Sequence, residues 1–322
     1  MCPATKPKER PEKLLSRPSE LIKHLDYEFQ PIVHIYTGET LGFEALLRNV
    51  EASGFSGISH FLDTVSESGN MNEMELLLFR LACGKFRGHE LNDHMKLFFN
   101  VDSKSICGSL GWGGRLLKIA HRHGFEAPQL CMEISERHHT NTPDELVETV
   151  RDLAKAGLRI ALDDFGTGIC GARSLFQLEP TLMKVDRFFI KSMNDNPKKR
   201  LFVSHLVQLA HAASVQVVAE GVETKQEFFL CREVGCDYVQ GYWVQRPTGK
   251  RRQLRKEYSC VKKLNQWDRR ESIGDGWDLI MENIECLPAV RNSWDGRILL
   301  QFLDSHPEQA LFPVLNSEKE PL

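Results

Sequence analysis

The chain has 322 residues, 41% of them apolar and 26% charged, with 41 basic residues against 44 acidic ones. These values fit a folded protein with a sizeable core and exclude wholesale disorder or collagen-like repetition. A net charge of −3 supplies no global basic field for nucleic acid, and apolar runs such as Leu76-Leu77-Leu78-Phe79 fall far short of the roughly 18–20 residues of a membrane-spanning helix.

Residues 1–26 read as a polar tail rich in Lys, Arg and Pro, without the apolar stretch of a secretory leader. A β-hairpin follows, with strands over 28–35 and 41–47 around the turn Thr37-Gly38-Glu39-Thr40. Strand and helix signals then alternate. Strands are predicted at 96–101, 130–134, 159–162, 182–185, 215–219 and 238–239, and helices at 110–123, from Thr142-Pro143, at 199–213 and at 224–234. Such alternation over more than two hundred residues specifies a parallel α/β architecture. Past Pro247 the pattern is lost. A basic run at 250–256 reads as a solvated helix face, and apolar clusters at 277–281 and 298–303 suggest two short helices in an appendage over 248–322.

Polar residues choose between an open sheet and a closed barrel. Glu44, Asn100, Glu133, Asp163, Lys184, Glu220 and Gln240 fall at successive predicted strands, as catalytic groups do at one end of a (β/α)8 barrel. The segment Ile160-Ala161-Leu162-Asp163-Asp164-Phe165-Gly166-Thr167-Gly168 is the most informative. Neighbours within a strand face opposite ways, so the two aspartates can share a site only where the strand ends and the glycines let the chain turn. Together with Glu44, Glu133, Glu220 and Glu223 they would bring six carboxylates to one mouth, opposed by Lys184. A cluster of that charge either takes up protons or binds cations, and two hard divalent ions would nearly neutralise it.

The same residues carry a family resemblance. Gly42-Phe43-Glu44-Ala45-Leu46-Leu47-Arg48, the Asp163–Gly168 segment, Ala219-Glu220-Gly221-Val222-Glu223-Thr224, and Gln240-Gly241-Tyr242 with Pro247 resemble, in order, the motifs of the EAL domains, bacterial phosphodiesterases that hydrolyse cyclic di-GMP. The likeness runs from about Tyr27 to Pro247. It implies a TIM-like (β/α)8 barrel over 27–247 with an antiparallel first strand, in keeping with the hairpin, plus the small C-terminal appendage. It also implies two Mg2+ or Mn2+ ions, with Glu44, Asn100, Glu133 and Asp163 on one and Asp163 with Asp164 on the other. Lys184 would help to place the attacking water, and Glu220 would act as general base or orient that water. Glu223 would anchor the loop after Asp164 and Gln240 would support the metal–water network, while Gln30 and Arg48 would contact substrate.

The chain departs from that pattern at Ile169-Cys170-Gly171-Ala172, in a loop that couples dimer contacts to the metal site in relatives, at Thr181, and at Val101-Asp102 after Asn100. None of these changes removes a ligand. His121, His123, His138 and His139 read as polar surface residues, and Gly111-Trp112-Gly113-Gly114 as a turn that lacks the context of a phosphate loop. Nine cysteines without a repeated spacing suit a reducing cytoplasm, and Cys231 with Cys236 lack a second pair to complete a zinc site. The expectation is a cytoplasmic phosphodiesterase acting on cyclic di-GMP, able to form a homodimer and to meet a protein partner through 248–322. The alternative is a catalytically weak receptor for the same nucleotide.

Overall fold

The computed structural model describes residues 21–87, 95–106, 111–135, 144–166, 171–271, 289–307 and 312–316. Eight strands close into a barrel in sequence order: β1 Asp26–His34, β2 Thr40–Arg48, β3 Lys96–Val101, β4 Leu130–Ser135, β5 Arg159–Phe165, β6 Leu182–Val185, β7 Gln216–Ala219 and β8 Tyr238–Val239. β1 is antiparallel to both β2 and β8, and the remaining pairs are parallel. This is the TIM-like barrel with an inverted first strand that the sequence led us to expect.

Helices α1 Ile58–Glu67, α2 Met71–Phe86, α3 Trp112–Arg122, α4 Asp144–Lys155, α5 Gly171–Leu178, α6 Pro197–Ala212 and α7 Lys225–Glu233 connect the strands, and α8 Ser259–Glu271 follows. Local chemistry fixes several helix starts. Asn196 accepts from the amides of Lys198 and Lys199 ahead of α6, with Pro197 in its first turn. Thr224 and Glu227 form a reciprocal capping box on α7. Trp112 opens α3 directly after Gly111, so Gly113 and Gly114 are helical and the expected turn is shorter than the glycines suggested. The expected cap at Thr142-Pro143 lies outside the described residues.

Two apolar layers organise the barrel. Outward side chains such as Phe43, Phe99, Met132, Leu162 and Val217 pack in the main core with helix residues such as Phe79, Leu116, Val150 and Val207. Inside, Ile32, Phe98, Cys131, Ala161, Leu182, Val218 and Tyr238 form a plug, one residue from each strand except β2. On β2 the corresponding space is held by Gly42, where a Cβ would stand 2.7 Å from the Phe98 ring and 2.3 Å from the Lys96 carbonyl oxygen. The glycine makes room for the phenylalanine.

The chain divides into two compact units after Asn265. Residues 248–265, expected as part of the appendage, belong to the barrel unit. Phe29 N donates to Thr248 O at 2.9 Å, Tyr258 N to Gly38 O at 2.8 Å, and the Asn265 amide to the carbonyls of Ile35 and Tyr36. Leu254, Tyr258, Val261 and Leu264 are buried in the main core. An antiparallel β1–β2 pair leaves its hairpin turn without a following helix, and this strap satisfies the turn's backbone instead. The basic run at 250–256 accordingly contains a single 3₁₀ turn, Arg251–Gln253, with Leu254 buried, rather than a solvated helix.

The second unit contains α9 Gly296–Asp304 and the parallel strands β9 Val290–Arg291 and β10 Val314–Leu315. Asp295 caps α9, and the Phe302 ring meets Trp294 at 5.0 Å and Phe312 at 5.4 Å. The expected helix at 298–303 falls within α9, while 277–281 lies outside the described residues. Among the described residues no helix is long and apolar enough to cross a membrane.

Candidate active site

Side chains return to the same face of a strand every second residue. Two steps beyond the plug therefore lies a second interior layer. Phe98 leads to Asn100, Cys131 to Glu133, Ala161 to Asp163, Leu182 to Lys184, Val218 to Glu220 and Tyr238 to Gln240. Gly42 leads to Glu44, and on the inverted β1 the step runs backwards from Ile32 to Gln30. Asn100, Glu133, Asp163 and Lys184 sit toward the C-terminal ends of their strands and Glu220 and Gln240 just past theirs, as expected, whereas Glu44 lies in the middle of β2.

Lys184 is the centre of the layer and is fully buried. Its Nζ lies 2.6 Å from Glu133 Oε1 and Glu220 Oε1, 3.2 Å from Asp163 Oδ1 and 3.3 Å from Glu44 Oε2. Burial disfavours the ammonium, but the four carboxylates together outweigh it and hold the Lys184 pKa well above its ordinary value. The carboxyls of Glu133 and Glu220 are pushed well above theirs, by burial first and then by neighbouring acids, against the opposing pull of Lys184. The Asn100 amide donates to Glu44 Oε1 at 3.0 Å and Glu133 Oε2 at 3.2 Å. Gln240 Nε2 donates to Glu44 and to Gln30, whose own amide donates to the Gln245 carbonyl at 3.1 Å.

Asp163 and Asp164 do converge, though by a different route from the one expected. β5 continues through both to Phe165. Its register against β6 shifts between Leu162 and Phe165, and Asp164 adopts φ of 55°. This bulge in the left-handed region breaks the alternation of faces. As a result Asp163, Asp164 and Glu220 each offer a carboxylate oxygen within 4.8 Å of the others.

That donor set fits a divalent cation. Glu133 Oε1 and Asp163 Oδ1 are buried and accept no hydrogen bond of proper direction, despite their proximity to Lys184. Buried carboxylate oxygens left in this state, beside an amide oxygen donor on Asn100, are the ligands that hard cations prefer.

Above the layer opens a cavity of about 300 Å³ whose walls include Gln30, Glu44, Asp163, Asp164, Glu220, Glu223 and Gln240. Arg48 is absent from this wall. It ends β2 with Nε 2.8 Å from Glu28 Oε2 and one terminal nitrogen on the Leu47 carbonyl. Arg187, which the sequence reading passed over, lines the cavity and pairs with Glu223 at 2.7 Å. Gly221, at φ of 64°, lets it pass: a Cβ there would meet Arg187 Cγ at 2.3 Å. Glu223 is thus tied to the chain after β6; the loop over 167–170 that it was expected to anchor lies outside the described residues. Glu227 was missed as well. Its buried carboxylate accepts from the amides of Ser192, Glu223 and Thr224, fixing the loop between Glu220 and α7. The capping-box spacing Thr224-x-x-Glu227 was the signal available for it. A second cavity, of about 400 Å³, is walled by Ile58, Leu62, Phe79, Phe99 and Trp112 with the buried Glu75, and reaches Asn100 and Asp164 at the edge of the acidic site.

Residues 17–247 match the EAL domain family. The probable cyclic di-GMP phosphodiesterase PdeI of Escherichia coli is 31% identical over 224 residues, covering 68% of this chain and 28% of that protein. Cyclic di-GMP phosphodiesterase NbdA of Pseudomonas aeruginosa is 29% identical over 227 residues, covering 69% and 29%. This chain therefore spans less than a third of the length of these curated relatives. Among solved structures, PaMucR phosphodiesterase in its c-di-GMP complex aligns with a TM-score of 0.66 at 25% identity, over 76% of this chain and 99% of that one. The manganese and cy-diGMP complex of Klebsiella pneumoniae BlrP1 shares the fold, with a TM-score of 0.64 at 24% identity over 70% and 56% of the two chains. With the family match extending over most of its length, and the four motifs gathered in one barrel, this chain belongs to the EAL domain family.

Proposed function

We propose that this chain is a metal-dependent phosphodiesterase that opens cyclic di-GMP to linear pGpG and so lowers a bacterial second messenger. The observation that carries this reading is the buried layer beneath an open cavity, in which four carboxylates share a single ammonium, Lys184. The names of PdeI and NbdA and the ligand of the PaMucR complex support cyclic di-GMP as the substrate.

In this reading Glu44, Asn100, Glu133 and Asp163 would hold one Mg2+ or Mn2+, and Asp163 with Asp164 a second. Two such ions would supply Lewis acidity toward water and the phosphoryl oxygens. Lys184, held by its four carboxylate neighbours, would donate a hydrogen bond to the attacking water. Glu220, at the wall of the cavity and beside Lys184, would be the proton acceptor. It would orient the attacking water and take its proton; the new P–O bond replaces the bond to the 3′ oxygen, which leaves as a hydroxyl on taking up a proton from solvent, so that a 5′-phosphate remains. Gln30 and Gln240 keep Glu44 in place through their amide chain. Arg48, bound to Glu28 here, would have to exchange that partner for a phosphate oxygen to serve as a substrate contact. Buried free thiols at Cys83, Cys131, Cys231 and Cys236 support placement in a reducing cytoplasm.

The test is incubation of the protein with cyclic di-GMP and Mg2+ or Mn2+, followed by chromatographic separation of the nucleotides. Linear pGpG that disappears on chelation supports the reading. Tight binding without turnover in either metal would instead make the chain a receptor.

A further inference from the structure

An aromatic ring at the rim of the acidic cavity has no part in the chemistry above. Tyr242 lines the cavity and remains 45% exposed, while the next residue, Trp243, packs on Phe228 with ring centres 4.6 Å apart. A half-exposed tyrosine between the buried Gly241 and the partly buried Trp243 is informative, because burial of that ring would otherwise be favourable. Its backbone is held firmly. Val222 N donates to Gln240 O at 3.1 Å, Trp243 N donates to Val222 O at 3.0 Å, and a Cβ on Gly241 would meet Val222 O at 2.0 Å. The segment carrying Tyr242 is thereby clamped to the loop that follows Glu220. The Arg246 guanidinium lies 4.1 Å from the ring centroid and stacks on it.

We propose that Tyr242, backed by Arg246, is a stacking platform for one purine base of the substrate and selects nucleotide diesters over small phosphodiesters. The inference rests on the phosphodiesterase reading and adds a specificity residue to it. A rigid ring at the mouth takes a base without recognising its edge, and stacking of this kind changes binding by about an order of magnitude or more.

The experiment measures kcat and KM for cyclic di-GMP and for methyl p-nitrophenyl phosphate, a diester without a purine, in wild type, Tyr242→Ala and Tyr242→Phe. Binding of cyclic di-GMP is followed in parallel by calorimetry with Ca2+ in place of Mg2+. Tyr242→Ala is expected to lower the preference for cyclic di-GMP over the small diester about tenfold, mainly through KM, with the calorimetric affinity falling in step. Tyr242→Phe is expected to restore most of that preference. Equal losses on both diesters, or an unchanged KM for cyclic di-GMP, would overturn the platform and leave the phosphodiesterase reading standing. A wild type that neither binds nor hydrolyses cyclic di-GMP would overturn both.

Discussion

Two layers of the barrel interior are built on the same strands, two residues apart, yet differ completely in chemistry. The plug of Ile32, Phe98, Cys131, Ala161, Leu182, Val218 and Tyr238 carries no charge and closes the barrel like an ordinary core. The layer above it gathers Glu44, Glu133, Asp163 and Glu220 around one buried ammonium. Such a cluster is a poor means of stabilising a fold, because desolvating charges offsets much of their attraction. The contrast teaches that the plug fixes the geometry, and the polar layer uses that geometry at some cost to stability.

Breaking the plug should have the largest effect. Phe98→Ala would empty a fully buried site and is expected to destabilise the protein by about 3–5 kcal/mol, read as a lower denaturant midpoint. Next comes a change confined to the polar layer. Glu220→Gln keeps shape but removes the basic oxygen. It should lower kcat on the order of 10²-fold or more, with little change in nucleotide affinity. Glu44→Ala should instead weaken metal occupancy and affinity together, as measured by metal titration. A Glu220→Gln enzyme with wild-type turnover would remove the role assigned to that carboxylate.

Smaller effects test the supports of each layer. Glu227→Gln keeps the shape of the capping side chain while weakening its three backbone hydrogen bonds. A loss of about 1 kcal/mol is expected, with a fall in kcat because the loop after Glu220 loosens. The smallest effect is at the opposite end, where His34 stands edge-on to the plug residue Tyr238 and its Nδ1 faces the amides of Tyr36 and Thr37. Burial lowers the His34 pKa from 6.5, against the pull of Asp237 and Glu39. Its contribution to stability is therefore present above pH 6.5 and is lost as pH falls through the lowered folded-state value. His34→Gln should flatten that part of the melting-temperature profile; an unchanged slope would show that another group titrates there.

Much of this contrast was legible in the sequence. Alternation along short strands and four spaced motifs were enough for the barrel and for the polar layer apart from Gln30, which only the family resemblance supplied, because period-two patterning is a direct record of which face is buried. The parts that were not legible depend on tertiary contacts. α1 and α2 lack side-chain caps, and α2 buries apolar residues on several faces, which blurs its period. The bulge at Asp164 arises from pairing with β6, which propensity does not report. Arg187 reaches the cavity only because Gly221, far along the chain, leaves it space. The strap over 248–265 answers a need of the β1–β2 turn that no local pattern announces.

Calorimetric titration of the chelated protein with Mn2+ tests the central claim most directly, because it asks whether the polar layer is a metal site without relying on turnover. The account predicts saturable binding of about two ions per chain, with Asp163→Asn sharply weakening both. Absence of saturable binding, or binding that Asp163→Asn leaves unchanged, would contradict it.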